Sequence, residues 1–277
     1  MRLSVIIPTR DRPDRARRLI EALSAQPEAP EAEWILVDDG SAESAARILA
    51  DLASELAARG WNARRLRHET ARGVSAARNA GARAAAGDIL LFIDDDILPE
   101  AGSLACCRRL HAQHPEVLVL NGRLRPLRRD YYARYWQHYY AAAFCRPGAG
   151  PLYTVDRISS GFLSVKRRLL DLARPLFDET LTSREDFDLW LRLRDLGIPA
   201  YKADELAAGI ETRTTLRRFL DQRLWYARGE RQLRRKHGAE KVAAEEARLV
   251  APNRLAFLPL QLLSRLWLRL HGFGRDA

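Results

Sequence analysis

Short apolar runs alternate with helical patterns over the first hundred residues of the chain. The predicted strands lie at 3–7, 34–37, 63–66 and 89–93. Between them, apolar residues recur every three or four positions, which predicts helices that begin near Pro13, after Ser41 and at Gly73. Ser41 is the expected N-cap of the second helix. This alternation is typical of a parallel sheet with helices on both faces.

The most apolar run, 89–93, stops at three consecutive carboxylates, Asp94, Asp95 and Asp96. A wholly apolar strand belongs in the middle of a sheet that is covered on both faces. The carboxylates would then lie at the edge where open α/β sheets bind ligands. Adjacent carboxylates repel one another, and a hard cation such as Mg²⁺ or Mn²⁺ compensates for this and can bridge a diphosphate. Alternatively, the three aspartates simply form the solvated end of the strand, where it runs into a turn.

Two further acidic segments allow both a structural and a functional interpretation. Asp39 follows the strand at 34–37 and could accept hydrogen bonds from a nucleobase or ribose, although Asp, Gly and Ser are common in turns. Glu185 and Asp186 begin a predicted helix over 185–196, where acidic side chains suit the helix dipole. A partly buried carboxylate beside other acids also suits a base that removes a proton from a sugar hydroxyl.

The pattern is weaker beyond residue 100. The segment 121–153 is rich in Arg, Tyr and Pro and has little periodicity, which predicts a mobile connection over the site. A strand is expected at 158–165, and everything after 212 is expected to be helical. Loops near 121–155 and 200–215 are expected to set specificity.

The chain of 277 residues has a net charge of +10, almost all of it from arginine. Arginine suits diphosphates, anionic lipid headgroups and nucleic acid alike, so the charge indicates an anionic partner without choosing one. A compositional bias toward Arg and Ala explains the same charge. Three cysteines without a CxxC spacing argue against a disulfide scaffold and fit a reducing cytoplasm. The N-terminal segment has the pattern of neither a signal peptide nor a membrane span.

Five segments follow one another between residues 2 and 200: SVIIPTRDRP, ILVDDGS, GVSAARNAGARAAAGDILLFIDDDILP, SSGFLSVKRRLL and LFDETLTSREDFDLWLRLRDLGIPA. Together they resemble the family 2 glycosyltransferases. The resemblance implies a GT-A fold, which is an α/β class with a Rossmann-like, mostly parallel central sheet. It also implies transfer of a sugar from a nucleoside-diphosphate sugar, with inversion at the anomeric carbon. We expect a glycosyltransferase domain over 1–212, in which 1–100 binds the donor and 101–212 the acceptor, and a helical extension over 213–277.

The resemblance also implies roles for single positions. The donor-binding positions are Pro8, Thr9, Asp11, Asp39, Arg78, Asp94, Asp95 and Asp96. Asp94 and Asp96 match the ends of the DxD motif and would hold a divalent metal, Mg²⁺ or Mn²⁺. Asp186 matches the Asp of the ED motif, the catalytic base, while Glu185 and Trp190 would lie near the acceptor.

Some positions depart from the pattern of the family. Many relatives have Asn in place of Asp11, and a metal-ligand His in the stretch that here reads 208–212. Glu211 could take the place of that His, or the metal could have fewer protein ligands and more water. His237 lies too far along the chain and is expected at the surface. The QxxRW motif of processive enzymes is absent from 222–225, which favours transfer of one sugar at a time.

The segment 255–270 is apolar but short, and Pro and Arg interrupt it. It predicts either an in-plane amphipathic helix on an anionic membrane surface, beside a lipid-linked acceptor, or a helix packed on the domain. We therefore expect a cytoplasmic protein that is at most peripheral on the inner face of the cell membrane. The composition and the basic tail favour a role in bacterial cell-envelope or exopolysaccharide assembly, with a glycan or lipid-linked acceptor.

Other functions fit the sequence less well. Nucleic-acid binding has no recognisable motif here, and the carboxylates at 38–39 and 94–96 would repel a phosphate backbone, so no nucleic acid partner is expected. A nucleotidyltransferase would have a Gly-rich loop after the first strand, which 9–17 lacks. An Asp-nucleophile phosphatase would have Thr or Val in place of Leu98. The intact acidic motifs argue against an inactive protein that only binds sugar nucleotide.

Overall fold

The computed structural model of the protein describes residues 1–145, 150–247 and 258–273. The first part of the chain alternates strands and helices: β1 (Leu3–Thr9), α1 (Pro13–Ser24), β2 (Glu33–Asp38), α2 (Glu43–Ala58), β3 (Ala63–Arg67), α3 (Val74–Ala84) and β4 (Ile89–Ile93). The second part contains β5 (Ile97–Pro99), α4 (Ser103–Gln113), β6 (Val119–Pro126), α5 (Tyr131–Phe144), β7 (Leu152–Val155), β8 (Phe162–Lys166), α6 (Leu169–Leu172), α7 (Glu185–Asp195) and β9 (Ala200–Ile210). The extension consists of α8 (Leu216–His237), α9 (Ala239–Ala247) and α10 (Leu258–Leu270).

The strands form one sheet in the order β3-β2-β1-β4-β8-β6-β9-β5, with β7 paired to β9. Strands β1 to β4 are parallel. Strand β8 runs antiparallel to both β4 and β6, while β9 is parallel to β6 and antiparallel to β5 and β7. The predicted α/β class is therefore confirmed, with the parallel pairing concentrated in the first half of the chain.

Helices cover both faces of the sheet, because successive strand residues point to opposite sides. Val5 and Ile7 of β1 belong to the apolar cluster that includes α1, α2 and α4, whereas Ile6 belongs to the cluster with α3 and α7. Helix α3 lies close to the strands because of its small residues: a Cβ at Gly81 would collide with Ile6. The predicted apolar face of α1 is buried as expected, at Ala16, Leu19, Ile20 and Leu23.

Strand β9 corrects the expectation of a loop near 200–215. Its sequence, AYKADELAAGI, contains little of the β-branched or aromatic content that favours a strand. Pairing with β6, β5 and β7 nevertheless gives its backbone groups partners along both edges. Tertiary pairing therefore overrides a weak local preference at this segment.

The expectation of an irregular connection over 121–153 is also wrong, since β6, α5 and β7 occupy most of it; residues 146–149 lie outside the described residues. Helix α5 begins where the Asp130 carboxylate accepts a hydrogen bond from the Ala133 amide over 3.0 Å. Three of its rings stack in sequence, with centroids 4.7 Å apart for Trp136 and Tyr140 and 4.9 Å apart for Tyr140 and Phe144. This four-residue spacing of stacked rings stabilises the helix, which consists mostly of aromatic residues and alanine.

Two smaller corrections concern element ends. The strand expected at 158–165 is Phe162–Lys166. Ser41 does not cap α2, which begins at Glu43 without a side-chain cap. Its hydroxyl instead accepts a hydrogen bond from the Asp11 amide over 2.9 Å, so Ser41 connects two loops at the edge of the sheet.

The extension after 212 is helical where it is described, as predicted. Helix α10 packs on α8 through Leu268, and Ser264 accepts a hydrogen bond from Arg223 of α8 over 3.3 Å. The first residues of the predicted amphipathic segment, 255–257, lie outside the described residues. Among the three described stretches of chain, no helix combines the length and the apolar content that crossing a membrane requires.

Candidate active site

The acidic segments predicted at one edge of the sheet lie together there. Thr9 ends β1, and its hydroxyl donates a hydrogen bond to Asp95 Oδ2 over 2.8 Å. Its carbonyl accepts a hydrogen bond from the Asp39 amide over 2.9 Å. Thr9 and the preceding Pro8 are both buried. The end of β1 therefore joins the loop after β2 to the aspartates after β4, because the carboxyl ends of parallel strands meet at one edge.

Asp39 is buried and holds the loop that precedes α3. Its carboxylate accepts hydrogen bonds from the amides of Arg72 and Gly73 over 2.9 and 2.8 Å, and lies 2.7 Å from His68 Nδ1. His68 has no motif around it, so sequence reasoning did not find it. The neighbouring Asp38 is fully buried, accepts a hydrogen bond from the Ser41 amide and pairs with Arg65 of β3 over 3.5 Å.

Asp11 occupies an unusual backbone conformation, with φ at 53°. Its Oδ1 accepts a hydrogen bond from the Ala42 amide over 2.7 Å. Asp and Asn tolerate the left-handed region better than most residues because their short side chains bond locally. An Asn carbonyl at this position could accept the same bond, which explains how Asp and Asn both suit it.

The three consecutive aspartates have different surroundings. Asp94 Oδ1 lies 2.6 Å from Arg78 Nη2, and Asp95 Oδ1 lies 3.3 Å from Arg12 Nη1. Asp96 has a longer ion pair, 4.0 Å from Arg15 Nη1. Burial raises the pKa of Asp96 to about 6, and the charges of Asp94 and Asp95 add to this effect. An added cation would therefore stabilise the ionised form of Asp96.

Arg78 connects the aspartates to helix α7. This residue is 1% exposed, and its guanidinium donates to Asp94 and, over 2.8 Å, to Glu185 Oε1. Ser160 donates to the same Glu185 oxygen over 2.9 Å. Burial by itself would lower the pKa of Arg78, but the charges of Asp94 and Glu185 outweigh it and the net direction is upward. Arg78 therefore fixes the start of α7 against the end of β4.

Asp186 lies in the first turn of α7, next to this buried ion pair. Burial raises the pKa of Asp186 to about 6; the charge of Glu185 adds to the rise, while Arg184 and Arg157 oppose it. Its Oδ1 accepts a hydrogen bond from the Phe187 amide over 2.8 Å. A carboxylate in this condition can take up a proton near neutral pH, as a general base must.

Trp190 lies in the core below this turn rather than at its surface. It is 6% exposed, and its ring centroid lies 5.7 Å from that of Phe187. The Arg194 guanidinium stacks over it at 5.1 Å. The structure thus gives Trp190 a packing role that positions α7.

Glu211 lies beside the aspartates but is paired with arginine. Its amide donates to the Asp96 carbonyl over 2.9 Å, and its carboxylate lies 3.0 Å from Arg15 and also pairs with Arg18. His237 is not at the surface as expected: its Nε2 lies 2.7 Å from Asp188 Oδ1, and its side chain is largely buried. Within the described residues, no three His, Cys, Asp or Glu side chains converge to hold a metal ion.

Several residues that the sequence analysis missed lie around Asp186. Helix α8 approaches the start of α7 closely, because a Cβ at Gly229 would collide with Ser183, and Ser183 donates to the Trp225 carbonyl over 3.0 Å. This places Tyr226 next to Arg184, whose guanidinium lies 5.2 Å from the ring centroid. These residues come from separate segments without a shared motif, so nothing in the linear sequence indicated their proximity.

Comparison with known proteins identifies the family. Residues 4–171 match the model of glycosyl transferase family 2. The chain is 28% identical over 232 residues to the pre-mycofactocin glycosyltransferase of Mycobacterium tuberculosis. The matched region covers 81% of this chain and 46% of that protein. The chain thus spans about half the length of this curated relative.

Two solved structures have the same fold. One is the mannosyltransferase PcManGT from Pyrobaculum calidifontis in complex with GDP-Man and Mn²⁺, with a TM-score of 0.64 and 19% identity over 97% of this chain and 75% of that one. The other is TarS 1-349 of S. aureus in complex with UDP-GlcNAc, with a TM-score of 0.61 and 18% identity over 99% of this chain and 84% of that one. These likenesses confirm the GT-A fold, and the family match covers more than half of the sequence. The chain therefore belongs to glycosyl transferase family 2.

Proposed function

We propose that the chain transfers a single sugar from a nucleoside-diphosphate sugar to a hydroxyl of a glycan or lipid-linked acceptor, with inversion. The observation that carries the proposal is Asp186, a carboxylate with a pKa raised to about 6 by burial and by Glu185. It is held through Glu185 and Arg78 to the aspartates at the carboxyl edge of the sheet. Such a transfer requires a catalytic base close to the carboxylates that bind the donor.

Asp186 removes the proton from the acceptor hydroxyl as that oxygen attacks the anomeric carbon. The new glycosidic bond forms on the face opposite the departing diphosphate, so the configuration inverts. The protein contributes positioning more than covalent chemistry, because it must hold donor and acceptor in line. The rigid contact between Arg78 and Glu185 supports this role, since it fixes the base relative to the donor edge.

The donor is assigned to the edge formed by Pro8, Thr9, Asp39 and the aspartates. PcManGT binds GDP-Man, and TarS binds UDP-GlcNAc, and both share the fold of this chain. In this proposal, Asp39 contacts the nucleobase and the ribose of the donor. Asp11 supports Asp39 by holding the loop after β2 through Ala42. A nucleoside diphosphate would thus lie across the ends of β1, β2 and β4.

The surroundings of the aspartates fit a divalent metal at Asp94 and Asp96. A Cβ at Gly161 would lie 3.0 Å from Asp94 Oδ2, so the glycine leaves room beside the oxygen that Arg78 does not take. Two carboxylate oxygens, diphosphate oxygens and water form the hard, oxygen-only set that Mg²⁺ and Mn²⁺ prefer. A bound cation would neutralise charge on the departing diphosphate. Glu211 pairs with Arg15 and Arg18, so water is the simpler replacement for the His of relatives.

Peripheral membrane contact through α10 is a second proposal, and it rests on exposed leucines. The face of α10 opposite Leu260, Ser264 and Leu268 carries Leu262, Leu263, Leu266 and Leu270, which are 45–72% exposed. Arg265 and Arg269 are exposed beside them. A leucine face flanked by cations matches the chemistry of an anionic lipid surface. A cytoplasmic location at the inner face of the membrane, in cell-envelope glycan assembly, is part of this proposal.

The test of the main proposal is binding and turnover of UDP, GDP, dTDP and CDP sugars with Mg²⁺ or Mn²⁺. Wild-type protein should bind one nucleotide class in a metal-dependent way. Asp186→Asn should bind the same donor without turnover, and Asp51→Asn, an exposed aspartate on α2, should behave as wild type. Failure of every sugar nucleotide to bind with either metal would contradict the proposed function.

A further inference from the structure

The proposed base follows an irregular segment of the chain. Residues 178–184 form turns and bends that lead into α7, and Asp186 is the second residue of that helix. An irregular segment is not fixed by a ladder of helix or sheet hydrogen bonds, so its position depends on the elements packed against it. Helix α8 lies along this segment and contacts it at several points.

Gln232 of α8 bonds to the backbone of the segment at two places. Its Oε1 accepts a hydrogen bond from the Thr182 amide over 2.8 Å, and its Nε2 donates to the Thr180 carbonyl over 3.3 Å. One side-chain amide thereby satisfies a backbone donor and a backbone acceptor, as a neighbouring strand would. Gln232 therefore fixes the chain just before the base.

Gly229 brings α8 into direct contact with the turn before α7. A Cβ at Gly229 would collide with the hydroxyl and the carbonyl oxygen of Ser183. Ser183 is fully buried, and its hydroxyl donates to the Trp225 carbonyl over 3.0 Å, one helical turn earlier. Glycine is unfavourable inside a helix relative to alanine, and the close approach of Ser183 explains its presence here.

The residues of α8 that contact the segment share one face of the helix. Trp225, Gly229, Gln232 and Lys236 are spaced by four, three and four residues, which is the repeat of a single helical face. Lys236 pairs with Asp178 at the start of the segment. The segment and α8 therefore run in opposite directions along about three helical turns.

The end of α8 also holds α7 itself. Asp188 is fully buried two residues after the base, and its Oδ1 lies 2.7 Å from both His237 Nε2 and Lys236 Nζ. Its Oδ2 accepts a hydrogen bond from Arg192 over 2.9 Å. Because an ionised carboxylate only accepts hydrogen bonds, His237 Nε2 is the donor. Removing a donor from a buried carboxylate is costly, so these contacts keep α7 in place.

Helix α8 also borders the base. Burial raises the pKa of Tyr226 to about 12, and the charge of Asp186 adds to this rise. The ring of Tyr226 therefore lies within reach of the charge of Asp186. On its other side, α7 is fixed to the donor edge by Arg78, which donates to Glu185.

We infer that Gln232 and His237 are positioning residues: they hold residues 178–184 and the first turn of α7 so that the Asp186 carboxylate faces the acceptor hydroxyl. The inference rests on the proposed function and gives the helical extension a part in the reaction. Arg78 sets the distance of α7 from the donor edge, and α8 sets its orientation. Donor binding at the ends of β1, β2 and β4 does not depend on these contacts.

Turnover and donor binding should therefore respond differently when a contact is lost. Turnover is measured as hydrolysis of the preferred sugar nucleotide, in which water takes the place of the acceptor hydroxyl. Gln232→Leu should lower kcat by about tenfold to a hundredfold, because a displacement of about 1 Å at a reacting group has an effect of this size. Its dissociation constant for the donor, measured by calorimetry, should equal that of wild type. Gln113→Leu, at an exposed glutamine that ends α4, is the matched control and should change neither quantity.

A conservative substitution separates positioning from bulk at His237. His237→Ala should lower kcat, whereas His237→Gln should restore most of it, since the amide can donate to the same Asp188 oxygen. The midpoint of the pH profile of kcat/KM should fall below about 6 in His237→Ala, because a loosened first turn admits water to Asp186 and burial is the main cause of its raised pKa. Equal kcat in all variants would overturn the inference, as would donor binding that weakens in step with kcat.

Hydrogen exchange tests the hold on the segment without any substrate. In Gln232→Leu, the amides of residues 178–186 should exchange at least about tenfold faster than in wild type, while those of β1 and β4 exchange as before. Unchanged exchange would overturn the inference whether or not a sugar nucleotide binds. Exchange that responds as expected in a protein that binds no sugar nucleotide would instead refute the proposed function, and with it the role of these contacts in turnover.

Discussion

Arg78 and Glu185 are 107 residues apart in the chain, yet Arg78 Nη1 donates to Glu185 Oε1 over 2.8 Å in the interior of the protein. The same guanidinium bonds to Asp94, so one side chain joins the donor edge to the helix of the base. Arg78 thereby places its positive charge beside the buried Glu185 carboxylate and the partly exposed Asp94 carboxylate.

Replacing Arg78 should therefore damage stability and turnover together. Arg78→Gln leaves the buried Glu185 carboxylate and the partly exposed Asp94 carboxylate without their cation. We expect a loss of about 3 to 5 kcal/mol in the free energy of unfolding, measured with urea. Arg83→Gln is the matched control on the same helix, because its side chain is 63% exposed, and it should change stability by less than about 0.5 kcal/mol. Equal stability of the two variants would contradict the role of Arg78.

The pH dependence of turnover should report the base. Asp186 acts only when ionised, and its pKa is raised to about 6, so kcat/KM should rise as the pH passes through about 6 and then level off. Steady-state rates measured at saturating metal from about pH 5 to about pH 8 check this. A rate that is already constant at pH 5 would show that another group is the base.

Ionisation of Asp186 should raise turnover but lower the stability of the fold. The folded state favours the protonated carboxyl, because its pKa is raised from 3.8 to about 6, so ionisation destabilises the fold above that range. Asp186→Asn should then be more stable than wild type at about pH 8, by on the order of 1 kcal/mol, and the difference should vanish below about pH 4. Thermal unfolding at both pH values measures it, and a less stable Asn variant at pH 8 would contradict the burial of the charge.

The adjacent aspartates should differ in their effect on metal binding. Asp96 has a long ion pair, whereas Asp95 is bound by Thr9 and Arg12. In the presence of nucleoside diphosphate, Asp96→Asn should weaken the binding of Mn²⁺ at least about a hundredfold. Asp95→Asn should weaken it about tenfold or less. Titration followed by electron paramagnetic resonance distinguishes them, and a larger effect at Asp95 would reverse the assignment.

The leucine face of α10 should control vesicle binding. Joint substitution Leu262→Ser and Leu266→Ser should abolish sedimentation with phosphatidylglycerol vesicles, because it removes apolar area that is exposed in the folded protein. Leu196→Ser is the control, since Leu196 is 54% exposed but lies outside α10. If the double variant still sediments, or if neutral vesicles bind equally well, the membrane proposal is wrong.

The elements that could be predicted are those whose own pattern matches their environment. Strand β4 lies at 89–93 as predicted, because a wholly apolar run has no alternative to burial. Helix α1 begins at Pro13 and buries its predicted face. Strand β9 and helix α5 could not be predicted, since the first is built from alanines and charges and the second mostly from aromatic residues and alanines without a clear apolar stripe. Their partners, not their composition, decide their structure.

The sequence by itself determined the fold class, the family and the positions of the acidic motifs, because these depend on local periodicity and on short segments that remain contiguous. Only the tertiary structure decided which charges meet. Arg78 between Asp94 and Glu185, Arg15 between Asp96 and Glu211, and the arginines around Asp186 all join segments distant in sequence. Electrostatic energy falls with distance in space and depends on burial, and neither quantity can be read from the order of residues along a chain.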